Sequence, residues 1–394
     1  AERGAGRGRG VSPVFPEAEF RDRLARLQAG LAVAEIDALL LTTAPDLFWA
    51  TGFLTRFWES PTRPWFLLLP AAGEPVAVIP EIGEALMGAT WVRDRRTWPA
   101  PDPEDDGVRL LAAAVREALP PSGRLGVPMG AETRLRMPLA DWGRLIEAIA
   151  PRRIVDGTEP LHRAREVKSE AEVARIREVC AAAGRAFARV PAFAGPGVPL
   201  DAVFREMQRA LLAEGADWVS YLAGGAGPDG YADVISPATS VPLAAGDVLM
   251  MDVGAVRAGH FCDFDRNFAV ARASDAARRA HGALWAATEA ALEAARPGMT
   301  AAALHGVIDR ALRAEGAAPT GGRLGHGLGL SLTEWPSLSA KDRTVLRAGM
   351  VLAIEPGVTV AEGRIMVAEE NVVLREHGAE LLSPRAPAEL PVLT

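Results

Sequence analysis

The feature that most constrains the fold is an internal repeat in the second half of the chain. The segment 195–216, GPGVPLDAVFREMQRALLAEGA, matches the segment 296–317, RPGMTAAALHGVIDRALRAEGA, at an offset of 101 residues. The segment 245–254, AGDVLMMDVG, matches the segment 348–357, AGMVLAIEPG, at an offset of 103 residues. Each half therefore predicts the same order of elements, two helices and then a strand hairpin. This order predicts an α+β domain with an internal, approximately twofold repeat.

The first predicted hairpin, residues 244–270, carries two carboxylates in an otherwise apolar run. A two-residue turn at Arg257-Ala258 would place Asp252 directly across from Asp263, with their Cβ atoms about 5 Å apart. Carboxylates that close repel each other unless they are protonated or bridged by a cation. The alternative is one solvent-facing aspartate and one turn aspartate, which the apolar surroundings disfavour.

The second hairpin carries a matching pair of acids. Glu355 occupies the position that corresponds to Asp252 in the first half, and pairing through the loop 361–363 places Glu355 across from Glu369. Gly363 in that loop can adopt a positive φ. Four carboxylates that converge near an axis relating the two halves need multivalent positive charge to coexist. A pair of divalent metal ions would supply that charge.

The strongest candidate for a nitrogen ligand is His326, in the segment 322–336, GRLGHGLGLSLTEWP. The flanking glycines allow the backbone to approach a crowded site closely. A lone histidine is otherwise most often a hydrogen-bonded core residue, but the glycines and the four acids favour a ligand. The other five histidines are weaker candidates. Two of these, His281 and His305, lie in helical patterns and are expected at the surface.

The rest of the chain predicts a second domain and its connections. Residues 17–157 alternate strand and helix patterns, which is typical of an α/β domain. This domain contains no histidine, so it is not expected to supply imidazole ligands. Residues 1–16 are expected to form a flexible tail, and residues 158–168 a polar linker. A capping box at Ser169 to Glu172 then begins the domain that spans 169–394.

The composition excludes several classes of protein. A net charge of −7 on 394 residues gives no global attraction to nucleic acid or to an anionic membrane. No apolar stretch reaches the roughly 18 residues that span a bilayer, and no secretory signal pattern is visible. Only Cys180 and Cys262 occur, which excludes a disulfide framework and fits a reducing cytoplasm.

Five residues resemble, in order and spacing, the metal ligands of the pita-bread metallopeptidases, a family that includes Xaa-Pro dipeptidase, aminopeptidase P and methionine aminopeptidase. They are Asp252, Asp263, His326, Glu355 and Glu369. The N-terminal domain and the helix that begins VKSEAEVARIREV resemble the creatinase-like members of the family. The resemblance implies two divalent ions (Mn, Co, Zn or Fe), a homodimer, and a dual role for Glu355 as ligand and general base.

The sequence departs from the proline-specific members outside the ligand set. Where those peptidases carry two further histidines, this chain has Ile235 and Thr333, and where they often carry a substrate-side arginine it has Val367. A threonine can donate a hydrogen bond, but it cannot supply a proton as imidazolium does. Trp335 is either a wall of the substrate pocket or a core residue. Asp265-Arg266 is either an ion pair that braces the hairpin or a pair of substrate contacts.

The sequence therefore predicts a metal-dependent hydrolase of a C–N bond, similar to the Xaa-Pro peptidases, that acts on a small peptide or amide through a hydroxide activated by two metal ions. One alternative is a non-peptidase of the same superfamily that hydrolyses a small amide, a guanidino compound or a compatible solute. Another alternative, from a different class, is a catalytically inactive metal-binding relative. Neither nucleic acid nor a membrane is an expected partner.

Overall fold

The computed structural model describes residues 14–60 and 64–394. The chain divides into two compact units between Arg165 and Glu166. Most of the predicted tail, residues 1–13, lies outside the described residues.

The first unit is an α/β domain built around one mixed six-stranded sheet, in the order β4-β3-β2-β1-β5-β6. Its strands are β1 Ala38–Leu41, β2 Phe66–Pro70, β3 Val76–Pro80, β4 Asp94–Trp98, β5 Arg124–Val127 and β6 Arg153–Asp156. Its helices are α1 Glu17–Val33, α2 Ala44–Thr51, α3 Glu84–Gly88, α4 Val108–Ala118, α5 Leu139–Ile149 and α6 Thr158–Glu166. The central strands β1 and β3 are buried along their whole length, as continuous apolar runs in a sheet covered on both faces require. The predicted α/β class is confirmed.

Residues 158–166, where the sequence predicts a polar linker, form the helix α6. The segment is polar overall, but Leu161 and Ala164 are buried and form an apolar face of the helix. The predicted capping box is present at the start of the next helix, where Ser169 and Glu172 each bond the other's backbone N–H.

The second unit is an α+β domain whose helices are α7 Glu170–Phe187, α8 Leu200–Ala213, α9 Asp275–Ala294 and α10 Ala301–Ala314. The strands of its first half are β7 Trp218–Pro228, β8 Asp247–Arg257, β9 His260–Phe261 and β10 Phe264–Val270. The remaining strands are β11 Ala318–Pro319, β12 Gly325–Gly327, β13 Glu334–Ser337, β14 Val351–Ile354, β15 Gly357–Ala361, β16 Arg364–Val367, β17 Glu370–Arg375, β18 Gly378–Leu381 and β19 Val392–Leu393. They form sheets in the orders β19-β10-β8-β7, with β9 beside β8, then β11-β15-β16, and β13-β12-β14-β17-β18.

The internal repeat is visible in this order of elements. Helices α8 and α10 begin 101 residues apart and end 101 residues apart, which equals the offset in the sequence. Each pair of helices precedes a long hairpin, β8 with β9 and β10 in the first half, and β14 and β15 with β16 and β17 in the second. One apolar cluster joins α7 and α8 to β8 and β10, and another joins α9 and α10 to β14 and β17. Burial of these apolar faces holds each hairpin against its helices.

Both cysteines, Cys180 and Cys262, are buried free thiols. In the two described stretches of the chain, no helix combines the length and the apolar character that crossing a membrane requires.

Candidate metal centre

The first hairpin places its acids differently from the prediction. Its two-residue turn is Ala258-Gly259, and both residues have positive φ (48° and 79°), as a type I′ turn requires. The ladder therefore pairs Asp252 with Asp265, and the predicted pairing of Asp252 with Asp263 is wrong. Asp263 lies in the break between β9 and β10. Because the register moves by two positions, Asp263 keeps the same face as Asp252, and the two side chains are hydrogen-bonded.

The second hairpin has the predicted register. Ile354 pairs with Glu370 on one side of a short interruption, and Gly357 pairs with Val367 on the other. This register aligns Glu355 with Glu369 across the interruption. Like Asp263 in the first hairpin, Glu369 lies in a break between two strand segments.

His326 reaches the acids from the short strand β12, which lies between β13 and β14. Gly325 has φ +136°, and a Cβ atom there would collide with the carbonyl oxygen of Ala353. This close approach explains the glycine and confirms the predicted role of the flanking glycines. In contrast, His281, expected at the surface, is buried, and its Nε2 lies 2.9 Å from the carbonyl oxygen of Pro387.

The orientation of the His326 ring directs a lone pair at two carboxylates. Nδ1 lies 2.9 Å from the carbonyl oxygen of Gly327, and because a carbonyl only accepts, Nδ1 carries the hydrogen. Nε2 is then an acceptor, 3.5 Å from an oxygen of Asp263 and 3.9 Å from an oxygen of Glu369. Acceptors that face one another at these distances are stable only around a cation or a proton.

Because these residues are buried, bulk water cannot replace the cation or proton that they need. The side chains of Asp263, His326 and Glu369 are 2–3% exposed, and their ligand atoms lie within 4.8 Å of one another. Among the described residues, one oxygen of Asp252 and one of Glu369 are buried and have no hydrogen-bond partner. Buried polar atoms are rarely left in this condition unless an ion or a water completes the site. The donor set fits divalent metal ions.

The pKa values of the acids also show that their negative charges oppose one another. Burial, and then Glu355, raise the pKa of Asp252 to about 7. Burial also raises the pKa of Asp263 and Glu369 well above the ordinary range, and neighbouring acids raise both further. Burial lowers the pKa of His326 to about 4, so the imidazole is neutral at pH 7 and available as a ligand. Without a cation these acids cannot all ionise at neutral pH.

A layer of polar residues holds the ligand candidates in place. Asn371 accepts a hydrogen bond from the backbone N–H of Asp263 at 2.9 Å and donates to its carbonyl oxygen. Asp265 accepts from the backbone N–H of Glu369 at 3.2 Å. Arg266 donates to the carbonyl oxygens of Asp265 and Glu369 and to the carboxylate of Glu370. Arg266 therefore braces the hairpins, but its ion-pair partner is Glu370 and not the adjacent Asp265.

The predicted substrate residues have separate surroundings. Ile235 is 76% exposed. Thr333 accepts a hydrogen bond from Arg323 at 3.3 Å. Trp335 is half-buried, in the strand β13 beside β12. Substrate contacts by Ile235, Thr333 and Trp335 stay a prediction.

Two further residues affect the acids, and the sequence pattern does not indicate either of them. Burial and then Asp252 raise the pKa of Tyr221, whose hydroxyl donates to the carbonyl oxygen of Val234 at 3.1 Å. The positive charge of Arg323 lowers the pKa of Asp263, which burial and its acidic neighbours raise. Neither residue stands out in the sequence, because only the folded chain places it beside acids that lie elsewhere in the sequence.

This fold and this cluster define a pita-bread protein with a buried site suited to divalent metal ions. The profile of metallopeptidase family M24 matches residues 174–376, and that of the creatinase/prolidase N-terminal domain matches residues 23–167. The chain belongs to metallopeptidase family M24.

Individual relatives agree with this assignment. A probable dipeptidase, PepE, of Mycobacterium tuberculosis (strain ATCC 25618 / H37Rv) is 31% identical over 93% of this chain and 94% of its own length. The crystal structure of dipeptidase PepE from Mycobacterium ulcerans has a TM-score of 0.83 and 32% identity, and the match covers 96% of this chain and 99% of that one. A prolidase from Thermococcus sibiricus has a TM-score of 0.84 at 22% identity, over 95% of this chain and 99% of its own, which shows a common fold. The predicted family and two-domain architecture are confirmed, and the chain is a metal-dependent hydrolase of peptide bonds.

Proposed function

We propose that the chain is a dipeptidase with a dinuclear metal centre held by five residues. The proposed ligands are Asp252, Asp263, His326, Glu355 and Glu369. The observation that carries the proposal is the buried convergence of Asp263, His326 and Glu369, with their ligand atoms within 4.8 Å. Asp252 and Glu355 complete the proposed set. Asp252 is hydrogen-bonded to Asp263, and burial and then the charge of Glu355 raise the pKa of Asp252.

The charge of this set supports two ions. Four carboxylates carry four negative charges when ionised, and two divalent cations balance them. Carboxylate oxygens with a single imidazole suit Mn²⁺, Co²⁺, Zn²⁺ or Fe²⁺. Such a pair of ions, when bound, supplies a hydroxide nucleophile near neutral pH and polarises the peptide carbonyl.

The residues of the chain contribute positioning and proton transfer. Glu355 is the proposed general base because it is only half-buried, whereas Asp263 and Glu369 are enclosed. Burial raises the pKa of Glu355, which favours its accepting a proton from the nucleophile and passing it to the leaving amine. The hydroxyl of Thr333 supplies a hydrogen-bond donor at the mouth of the site but no acidic proton.

The similarity to the two PepE proteins supports dipeptides as the substrates. Cleavage of Xaa-Pro bonds is expected to be weak, because Ile235, Thr333 and Val367 replace the polar groups of the proline-specific members. The second candidate substrate is a small amide. The exposed aliphatic side chain of Ile235 (76% exposed) favours this candidate. We further propose a homodimer, as the resemblance to the family implies. We also propose a reducing cytoplasm, which the buried free thiols support.

The test is a substrate screen in the presence of Mn²⁺, with dipeptides that lack proline, Xaa-Pro dipeptides and small linear and cyclic amides. We expect the dipeptides without proline to be cleaved fastest. Glu355→Gln should abolish turnover of every substrate, because it removes the general base and weakens the site. The matched control is Glu362→Gln, since Glu362 is exposed in the turn of the same hairpin. Faster cleavage of the small amides would identify the second candidate as the function. Full metal loading without turnover of any substrate would identify an inactive metal-binding relative.

A further inference from the structure

A buried ion pair lies beside the loop that follows the strand of His326. Nζ of Lys168 is 3.0 Å from Oε2 of Glu334, and the two side chains are only 3% and 9% exposed. Nζ also donates to the carbonyl oxygen of Glu166 at 3.4 Å. Neither Lys168 nor Glu334 belongs to the proposed ligand set. A buried pair of this kind is weak evidence for stability in itself, but removal of one partner is strongly unfavourable.

Glu334 connects this pair to the backbone of residues 328–333, which we name the β12–β13 loop. Its Oε1 accepts hydrogen bonds from the backbone N–H of Leu330 at 2.8 Å and from that of Ser331 at 3.2 Å. A Cβ atom added to Gly329 would lie 2.9 Å from Oε2 of Glu334 and 3.0 Å from Cε of Lys168. The loop therefore wraps closely around the pair. The carboxylate holds the loop, and the ammonium of Lys168 holds the carboxylate.

The tip of the β12–β13 loop lies beside the metal centre. A Cβ atom added to Gly254 would lie 2.4 Å from Cδ1 of Leu332, so the Leu332 side chain packs directly on this glycine. Gly254 follows Asp252 by two residues in β8, so the two positions share one face of the strand and lie about 7 Å apart. The loop thus begins just after one proposed ligand, His326, and its tip lies close to another.

We propose that Lys168 is a positioning residue that acts through Glu334 and holds the β12–β13 loop in the conformation that productive substrate binding needs. This inference rests on the proposed function, because it takes a peptide bound at the metal centre as the substrate. Lys168 has a fixed base for this role, since its backbone N–H donates to the carbonyl oxygen of Gly349 at 2.9 Å. A shift of about 1 Å in groups that position a substrate can cost about a hundredfold in rate.

The competing explanation is that the pair only stabilises the fold. A purely structural role predicts a lower melting temperature with normal kinetics of the protein that remains folded. A positioning role predicts slower catalysis by protein that is folded and fully loaded with metal. The control for stability is Ile308→Ala, because Ile308 is fully buried in the core cluster of α9 and α10. It should lower the melting temperature and leave kcat/KM within about twofold of wild type.

The kinetic experiment compares Lys168→Met, Glu334→Gln and the double variant with the wild type, each loaded with Mn²⁺ and assayed on alanyl-leucine. Methionine keeps most of the length of lysine and removes the charge. Lys168→Met should lower kcat/KM by about tenfold to hundredfold, mostly in kcat, with the metal content of the wild type. The double variant should recover most of this loss. Glutamine keeps an oxygen for the N–H groups of Leu330 and Ser331, and no buried charge then remains at the pair.

Hydrogen exchange measured by mass spectrometry reports on the loop independently of catalysis. In Lys168→Met the peptide that spans 328–335 should exchange faster, and the double variant should restore its protection. If Lys168→Met does not fold, Glu334→Gln serves in its place, with faster exchange and a smaller loss of kcat. Unchanged exchange of the loop, or faster exchange with normal kinetics, would overturn the inference. Faster exchange in a protein whose wild type cleaves no dipeptide would refute the proposed function and leave the hold of Lys168 on the loop standing.

Discussion

The backbone of Asp252 pairs with that of Asp265 across the first hairpin, and Asp263 lies in the break between β9 and β10. The centre therefore includes a fifth acid, Asp265, which is buried. Asp265 accepts a hydrogen bond from the backbone of Glu369, and its other oxygen is buried with no partner in the part of the chain that the structure describes. Burial and then Asp252 raise its pKa well above the ordinary range. We therefore expect Asp265 to brace Glu369 and Asp263 to be the ligand.

Replacing each aspartate by asparagine should separate these two roles. Asp265→Asn keeps an acceptor for the Glu369 N–H and a neutral side chain of the same shape, so we expect close to two ions per chain. Asp263→Asn instead removes a charged oxygen from the proposed ligand set, and metal binds the ionised carboxylate. We expect it to lose most of the metal. The measurement is metal content after purification without chelator, and equal losses in the two variants would contradict the assignment.

The stability of the metal-depleted protein should fall as the pH rises. Burial raises the folded-state pKa of Asp263 and Glu369, and that of Asp252 to about 7, whereas unfolded carboxyls titrate near about 4. Between those values the folded state holds more protons than the unfolded state, so raising the pH favours unfolding. This contribution is fully present below the unfolded pKa and is lost as the pH rises through the folded pKa.

Bound Mn²⁺ should reverse the trend, because metal binds the ionised carboxylates and stabilises the folded state by mass action. The measurement is the melting temperature across roughly pH 5 to pH 8, with chelator and with Mn²⁺. The two curves should diverge as the pH rises. Parallel curves would show that these acids do not form the metal site.

The two hairpins show which features of the fold the sequence can predict. In the second hairpin Gly363 (φ +65°) marks the turn, and the register was predicted correctly. In the first hairpin the turn needs positive φ at both Ala258 and Gly259, and alanine is a poor indicator of such a turn. The prediction therefore placed the turn one residue too early. The acids still share a face, because the period of a strand is two residues.

The supporting layer could not be predicted from spacing. Asn371 holds the backbone of Asp263 from a position 108 residues away, and Arg323, whose charge lowers the pKa of Asp263, lies outside the strands. A contact over such a separation depends on how the strands pack, which periodicity does not encode. The ligand types were predictable because buried acids and glycines stand out in apolar runs.

The glycine before His326 should be essential for a geometric reason. Gly325→Ala would combine a φ of +136° with a collision against the carbonyl oxygen of Ala353. We expect a loss of about 1–3 kcal/mol in the free energy of unfolding, together with weaker metal binding as β12 shifts. The control is Gly282→Ala in α9, where an added Cβ meets nothing within 4 Å. It should stabilise the helix by about 0.5–1 kcal/mol. Urea unfolding of both variants checks the sign of each effect, and equal stabilities would contradict the collision.

The last prediction concerns the two positions where the proline-specific peptidases carry histidines. Ile235 is 76% exposed, so a histidine there has room to turn toward the site. A histidine at position 333 can donate a proton, which the present threonine cannot. One hydrogen bond to a transition state is typically worth on the order of a hundredfold in rate. We therefore expect feeble cleavage of Xaa-Pro dipeptides by the wild type and a large gain in the double variant Ile235→His, Thr333→His.

The matched control is Val241→His, because Val241 is also aliphatic and exposed in the segment between β7 and β8. It adds an imidazole without restoring a family position, so it should not raise the rate. Steady-state kinetics with an Xaa-Pro dipeptide and with alanyl-leucine measure the effect. A wild type that cleaves Xaa-Pro bonds as fast as alanyl-leucine would show that the histidines are dispensable in this chain, since the metal centre alone would then supply the rate.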